Sequence, residues 1–405
     1  MLPLVSVLLE MVSRRVWVAA AAATALMVMA RLSSFADGEK AVPCYYIFGD
    51  SLADSGNNNM LQTVAKVDYS PYGVDFPRGP TGRFTNGRNI VDFFGPTANL
   101  SFTFFASPAE YLGFECPIPP FATATDVDTL TGVNYASGSA GILQQTGAQL
   151  GQRIPLDVQL DNHGVSVSAL AKITGAAAAS RHLGQCLYTL GAGNNDFLNN
   201  YFRPEFYPTS RTYTVKRFTA LLANRYAQQL QRLYGLGARK IGVFALGQIG
   251  CVPFAIRRYG NNGSASGCAE ALNDAAALFN VRLKSAINRL QAKLTDAQFV
   301  YIGSGSDMLM MVRQKNSTTV TELKALEVVD CACCTVEVSS GQCVPDKAPC
   351  PDRSSYVFWD WFHPTEALNS VTAAAAFEAV RPLVAHSSSV GESSMLRLAA
   401  AVQAM

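Results

Sequence analysis

A serine, an aspartate and a histidine stand out in this 405-residue chain as groups able to do acyl chemistry. Acyl transfer needs an activated nucleophile, a base that works near neutral pH, a group that orients the base, and donors for the developing oxyanion. Ser51 lies in Gly49-Asp50-Ser51-Leu52, directly after Tyr45-Tyr46-Ile47-Phe48, an apolar run that reads as a buried strand. A serine at the mouth of a strand-to-helix turn is well placed to be a nucleophile. With only four histidines, the base can be sought by elimination, although D-x-x-H-P also fits a helix-start acid beside an incidental histidine. His386 is near the carboxyl end, His182 precedes an expected strand, and His163 reads as part of a polar loop. His363 alone has an acid three residues before it, in Asp360-Trp361-Phe362-His363-Pro364. That spacing places both side chains on one side of an expected helical turn, where Asp360 can fix the imidazole tautomer.

Two further segments offer oxyanion donors. In Gly193-Asn194-Asn195-Asp196 the Asn195 side chain carries an amide N–H. In Asn134-Tyr135-Ala136-Ser137-Gly138-Ser139-Ala140-Gly141 the small residues let backbone N–H groups approach a ligand. Each segment also fits an ordinary turn after a strand. The G-x-S-x-G nucleophile elbow is absent.

The elements that must position these residues are legible as alternation. Candidate strands span 45–48, 133–136, 186–190, 240–246 and 298–302, and helical stretches span 215–233 and 269–293. Strand-helix alternation predicts an α/β fold, a parallel sheet with helices on both faces. Ligands of such sheets bind outside the carboxyl ends of the strands. Ser51, the Gly138 region and Asn195 all follow expected strands, so they converge on one edge. Segment 68–88 is rich in turn residues, and a loop of that length in a compact domain is expected to be functional or disordered.

Composition narrows the class further. The chain is 49% hydrophobic and 15% charged, enough for one large core. A net charge of +2 and the lack of any long Lys/Arg run argue against a nucleic-acid partner. Residues 1–36 read as a secretory signal: Arg14-Arg15, the apolar stretch 16–30, then Ser34-Phe35-Ala36 as a small-x-small cleavage site. That stretch is short beside the roughly 20 residues of a membrane span. A start at Met11 would give a tidier signal. Removing residues 1–36 takes away three arginines and one glutamate and leaves a net charge of zero. All ten cysteines follow Ala36, an even count that suggests disulfides in an oxidising compartment rather than a zinc site. Cys251 and Cys268 flank a Gly/Asn/Ser loop they could close, and Cys331, Cys333, Cys334, Cys343 and Cys350 crowd into twenty residues. Sequons stand at Asn99, Asn262 and Asn316. The tail 386–405 is Ser/Ala-rich and expected to be disordered, which leaves 37–385 as the folded domain.

In this order, the motifs resemble those of the plant-type GDSL esterase/lipases of the SGNH hydrolase superfamily. The resemblance covers nearly all of 44–385. It is carried by FGDSLADSGNNN at 48–59, PYGVDFPRGPTGRFTNGR at 71–88, GVNYASGSAGIL at 132–143, GAGNNDFLNNYF at 191–202, LGARKIGVFALGQIGCVP at 236–253 and FWDWFHPTEA at 358–367. It implies a three-layer α/β/α sandwich with a five-stranded parallel sheet. It also implies Ser51 as nucleophile and His363 as base oriented by Asp360. The implied oxyanion donors are the Ser51 N–H, a backbone N–H at Ser139 beside Gly138, and the Asn195 side chain. The implied substrate is a lipid or small acyl ester, and no metal or organic cofactor is needed. An extracellular acyltransferase would use the same acyl-enzyme with an alcohol in place of water. A non-catalytic binding protein of this fold would be expected to lack one of Ser51, Asn195, Asp360 and His363, all of which are present. Two departures stand out. Ser139 occupies a position that is commonly glycine, and 95–108 separates segments that family members usually join directly, as a retained intron or displaced exon edge would.

Overall fold

The computed structural model describes residues 41–94, 112, 114, 117–260, 267–303 and 325–384. The expected leader 1–36, the 95–108 segment, the three sequons, Cys116 and the tail 386–405 lie outside them.

Four parallel strands form the central sheet in the order β1-β2-β3-β4: Tyr45–Gly49, Leu187–Gly191, Lys240–Phe244 and Gln298–Ile302. β1 is buried at all five positions, as a parallel strand covered on both faces must be. Its side chains divide by alternation. Tyr46 and Phe48 enter one core, and Tyr45 and Ile47 enter the other. The first core is closed by α1 (Leu156–Thr174), α2 (Ala176–Gln185), α3 (Val215–Gly235) and α4 (Glu270–Lys293). The second is closed by α5 (Glu366–Val384) through Ala373, Phe377 and Val380. This is the expected α/β/α class.

Among the described residues the sheet has one regular strand fewer than the five expected. Segment 133–136 does run parallel to β1, with Ile47 donating to the Val133 carbonyl at 3.1 Å and Tyr135 to the Ile47 carbonyl at 2.8 Å. On its other side it pairs at one point with Pro120, and the Asn134 N–H goes to Pro119. With its backbone shared between two irregular neighbours, it makes isolated bridges rather than a ladder. A second, two-stranded parallel sheet joins β5 (Val328–Ala332) to β6 (Tyr356–Phe358).

The helices form where apolar side chains recur at helical spacing. On α3, Phe218, Leu222, Tyr226, Leu230 and Leu233 are buried, and the Thr214 hydroxyl caps its start by accepting from the Arg217 N–H. On α4 the buried stripe includes Leu272, Phe279, Leu283, Ile287 and Leu290. Fully burying one such side chain contributes about 1.5–3 kcal/mol. Among the described residues no helix is long and apolar enough to cross a membrane.

His163 corrects the sequence reading. It sits in helix α1, fully buried, and not in a polar loop. With Leu156 and Leu160 it completes an i, i+4, i+7 stripe. The rings of Tyr46, Phe48, Tyr135 and Tyr188 surround it at 4.8–5.6 Å. Burial pushes its pKa down to about 3. Between about pH 6.5 and 3 the unfolded chain therefore binds a proton here that the folded chain refuses, and stability drains as pH falls. His163→Gln, which cannot titrate, is expected to close its stability gap to the wild type by about 1.4 kcal/mol per pH unit below pH 6.5. Urea unfolding at pH 7, 6 and 5 measures this, and a gap constant with pH would contradict it.

Candidate active site

The strand carboxyl ends meet at Gly49 and Gly191, which are paired across β1 and β2. A Cβ on Gly49 would lie 2.6 Å from the Gly191 carbonyl oxygen, so only glycine lets the chain turn there. Gln159 of α1 fixes this point. Its Oε1 accepts the Gly49 N–H at 3.0 Å and its Nε2 donates to the Gly49 carbonyl at 2.8 Å. The chain then turns, with Ala53 and Asp54 N–H groups donating to the Asp50 carbonyl. Ser51 emerges half-buried at the sheet edge.

Asp360 and His363 arrive from the other end of the chain, on the turn after β6. The turn is not helical, which corrects the geometry expected from their spacing. Asp360 Oδ1 accepts the N–H groups of Phe362 and His363, both at 2.8 Å, so the side chain itself closes the turn. The Trp359 N–H donates to the His363 carbonyl, and α5 begins only at Glu366. His363 Nδ1 lies 2.7 Å from Asp360 Oδ2 and 2.9 Å from Oδ1, and its Nε2 lies 2.8 Å from Ser51 Oγ. Ser51 is thus joined by one hydrogen-bonded line to a pair of residues more than 300 positions away. Phe84, from the 68–88 loop, lays its ring 4.8 Å from the imidazole.

The two small-residue turns stand beside Ser51. Asp54 Oδ2 accepts the Gly138 N–H at 2.9 Å, and Asn58 donates to the Gly138 carbonyl at 3.1 Å. Gly138 has no room for a side chain, since a Cβ would meet Phe84 at 2.6 Å. With its N–H engaged, Gly138 shapes the turn, and Ser139 is left to present a donor. Among the described residues, neither the Ser51 nor the Ser139 N–H has a partner. Ser139 adopts φ 61, the left-handed region where glycine costs least. The Asn195 amide is anchored at both ends. Its Nδ2 donates to the Ala140 carbonyl at 2.9 Å, and its Oδ1 accepts from Asn199 at 2.8 Å. One amide N–H remains. Asp196 clamps the same turn by accepting from the Ile142 and Leu143 N–H groups and the Thr146 hydroxyl.

Three carboxyls around Ser51 are deeply buried. Burial pushes each of Asp50, Asp54 and Asp196 up to about 6, against the pull of the hydrogen bonds they accept. Asp54 is tied by the Gly56, Asn57 and Gly138 N–H groups and Asp196 by the three donors just named, so both act as fasteners. Asp50, next to Ser51, accepts the Leu52 N–H and, at 3.3 Å, the Asn194 amide.

Among the described residues eight cysteines pair as Cys44–Cys186, Cys251–Cys268, Cys333–Cys350 and Cys334–Cys343, and Cys331 is free and exposed. The Cys251–Cys268 bridge closes the loop that the sequence suggested. His182 stands beside Cys44 and Cys186, with ligating atoms all within 4.8 Å. The two sulfurs are joined to each other, which leaves no thiolate for a metal.

Gln159, Phe84, Asp54 and Tyr72, whose hydroxyl donates to Asp360 Oδ2 at 2.7 Å, are site-building residues that elimination among histidines does not find. Gln159 shows in the sequence only as a polar residue within an apolar stripe, Phe84 and Tyr72 as aromatic residues in the turn-rich 68–88 segment, and Asp54 as an acid in the turn after β1.

A serine, a histidine and an aspartate in one hydrogen-bonded line at the carboxyl edge of a parallel sheet form an arrangement suited to nucleophilic serine chemistry. The chain belongs to the GDSL-like lipase/acylhydrolase family, whose profile matches residues 45–376. Two Arabidopsis thaliana proteins named GDSL esterase/lipase are each 42% identical to it, over 85% and 83% of this chain and 89% and 87% of their own lengths. A third of the same name is 40% identical over 87% of this chain and 92% of its own. The protein is a carboxylic ester hydrolase.

Proposed function

We propose that this is a secreted serine esterase that cleaves lipid or small acyl esters through an acyl-enzyme on Ser51. The observation that carries the reading is the continuous contact from Asp360 through His363 to Ser51 Oγ, at 2.7 and 2.8 Å. His363 takes the hydroxyl proton as Ser51 attacks the ester carbonyl. Asp360 holds the imidazole so that Nε2 faces the serine. The tetrahedral oxyanion is held by the unpartnered N–H groups of Ser51 and Ser139 and by the remaining amide N–H of Asn195. The alcohol leaves with the proton from His363, and water then releases the acid. The leader at 1–36 and the four disulfides support export to an oxidising compartment.

Hydrolysis of aryl esters of short and medium acyl chains, run beside Asn195→Ala, tests the oxyanion assignment. Loss of that donor is expected to lower kcat by roughly 10²–10³. Retention of kcat in a folded Asn195→Ala variant would remove Asn195 from the reaction.

A further inference from the structure

Asp360 is held by more than its own turn. Oδ1 is occupied by the two turn N–H groups, but those bonds alone leave the carboxylate plane free to swing about Oδ1. Oδ2, the oxygen nearer His363 Nδ1, has one further partner, the phenol of Tyr72 at 2.7 Å. Tyr72 comes from the 68–88 loop, 288 positions away, and is fully buried. Its ring is wedged edge-on among Tyr69, Phe84 and Trp359. Its oxygen in turn accepts the Cys343 N–H at 3.1 Å, while Tyr69 donates to the Cys343 carbonyl at 3.0 Å. Cys343 is fixed by its bridge to Cys334, whose N–H donates to the Trp359 carbonyl. A single line of hydrogen bonds therefore runs from the disulfide loop to the nucleophile through the Cys343 N–H, the Tyr72 hydroxyl, the accepting Asp360 carboxylate, His363 and Ser51.

We propose that Tyr72 is a positioning residue for the reaction, setting the plane of the Asp360 carboxylate from a platform made rigid by the Cys334–Cys343 disulfide. The proposal rests on the assignment of Ser51, His363 and Asp360 above. Because the Cys343 N–H occupies a lone pair of the phenol oxygen, the phenol proton is directed at Asp360 and nowhere else. Burial and the adjacent Asp360 hold the phenol well above the usual tyrosine range, so it stays a donor at any working pH. Two points of attachment on one carboxylate hold Nε2 of His363 on line with Ser51, and small errors on that line cost rate rather than binding.

The test uses the full disulfide-bonded protein and Tyr72→Phe, which keeps the ring and removes the donor. With an aryl ester, kcat is expected to fall about tenfold while KM changes less than twofold. The low-field proton resonance between His363 and Asp360 is expected to broaden as the carboxylate gains freedom. Should Tyr72→Phe fail to fold, 3-fluorotyrosine at position 72, of similar shape but a stronger donor, is expected to move that resonance upfield. A folded Tyr72→Phe with unchanged kcat, or a resonance unmoved in either variant, would reduce Tyr72 to packing. Ser51→Ala run alongside separates the two levels. Turnover surviving in Ser51→Ala overturns the underlying assignment, whereas an inactive Ser51→Ala beside a fully active Tyr72→Phe overturns only the role of Tyr72.

Discussion

Ser51→Ala is expected to lower kcat for an aryl ester by about 10⁵-fold or more, the scale seen when the nucleophile of a serine hydrolase is removed. The side chain makes one hydrogen bond, to His363 Nε2 at 2.8 Å, and sits half-exposed at the sheet edge. Alanine fits the same turn, because that turn is closed by the Asp50 carbonyl and the Asp50 carboxylate rather than by the serine. The stability change should therefore stay within about 0.5 kcal/mol, typical of a substitution away from the core. KM should change little, since the groups that bind the ester remain. A residual rate above that in water is expected from the oxyanion donors alone. Steady-state kinetics with thermal melts of both proteins measure this, and a folded Ser51→Ala that retains turnover would contradict it.

Asp360→Asn is expected to lower kcat by about 10⁴-fold through the tautomer of His363. Oδ1 of Asp360 accepts two turn N–H groups, so an asparagine keeps its carbonyl there. Its NH₂ must then occupy the Oδ2 position, facing His363 Nδ1. Two donors cannot face each other, so the imidazole proton moves to Nε2. That nitrogen can no longer accept from Ser51. The same NH₂ also meets the Tyr72 hydroxyl, which has to turn away. Activity that recovers at higher pH would fit a base of altered tautomer, and near-normal kcat at neutral pH would contradict the assignment of Asp360.

The sheet edge was legible because strand runs such as Tyr45-Tyr46-Ile47-Phe48 are apolar at every position, a pattern produced by burial on both faces. α3 and α4 were legible from their stripes, with ends within a few residues of those expected. Segment 133–136 is apolar at all positions but Asn134, and it pairs with irregular chain on one side, which local sequence does not encode. The Asp360/His363 spacing pointed to proximity correctly and to a helical turn incorrectly. The Asp360 side chain closes the turn with its own oxygen, and Pro364 holds the chain out of a helix until Glu366. His163 was misread because its neighbours Asp161, Asn162 and Gly164 read as loop residues and hide the core-facing stripe of Leu156, Leu160 and His163. Gln159 and Tyr72 escaped notice for a different reason. Each acts through contacts more than 100 positions away, on Gly49 and Asp360, which only the closed fold brings together.

The most direct measurement is covalent trapping. The folded protein is treated with a fluorophosphonate ester, and the modified peptide is identified by mass spectrometry. One adduct per chain on Ser51, lost when the protein is denatured first, is the result expected of a serine activated by His363. Ester turnover that continues with Ser51 unmodified, or an adduct on another residue that abolishes it, would contradict a mechanism built on Ser51.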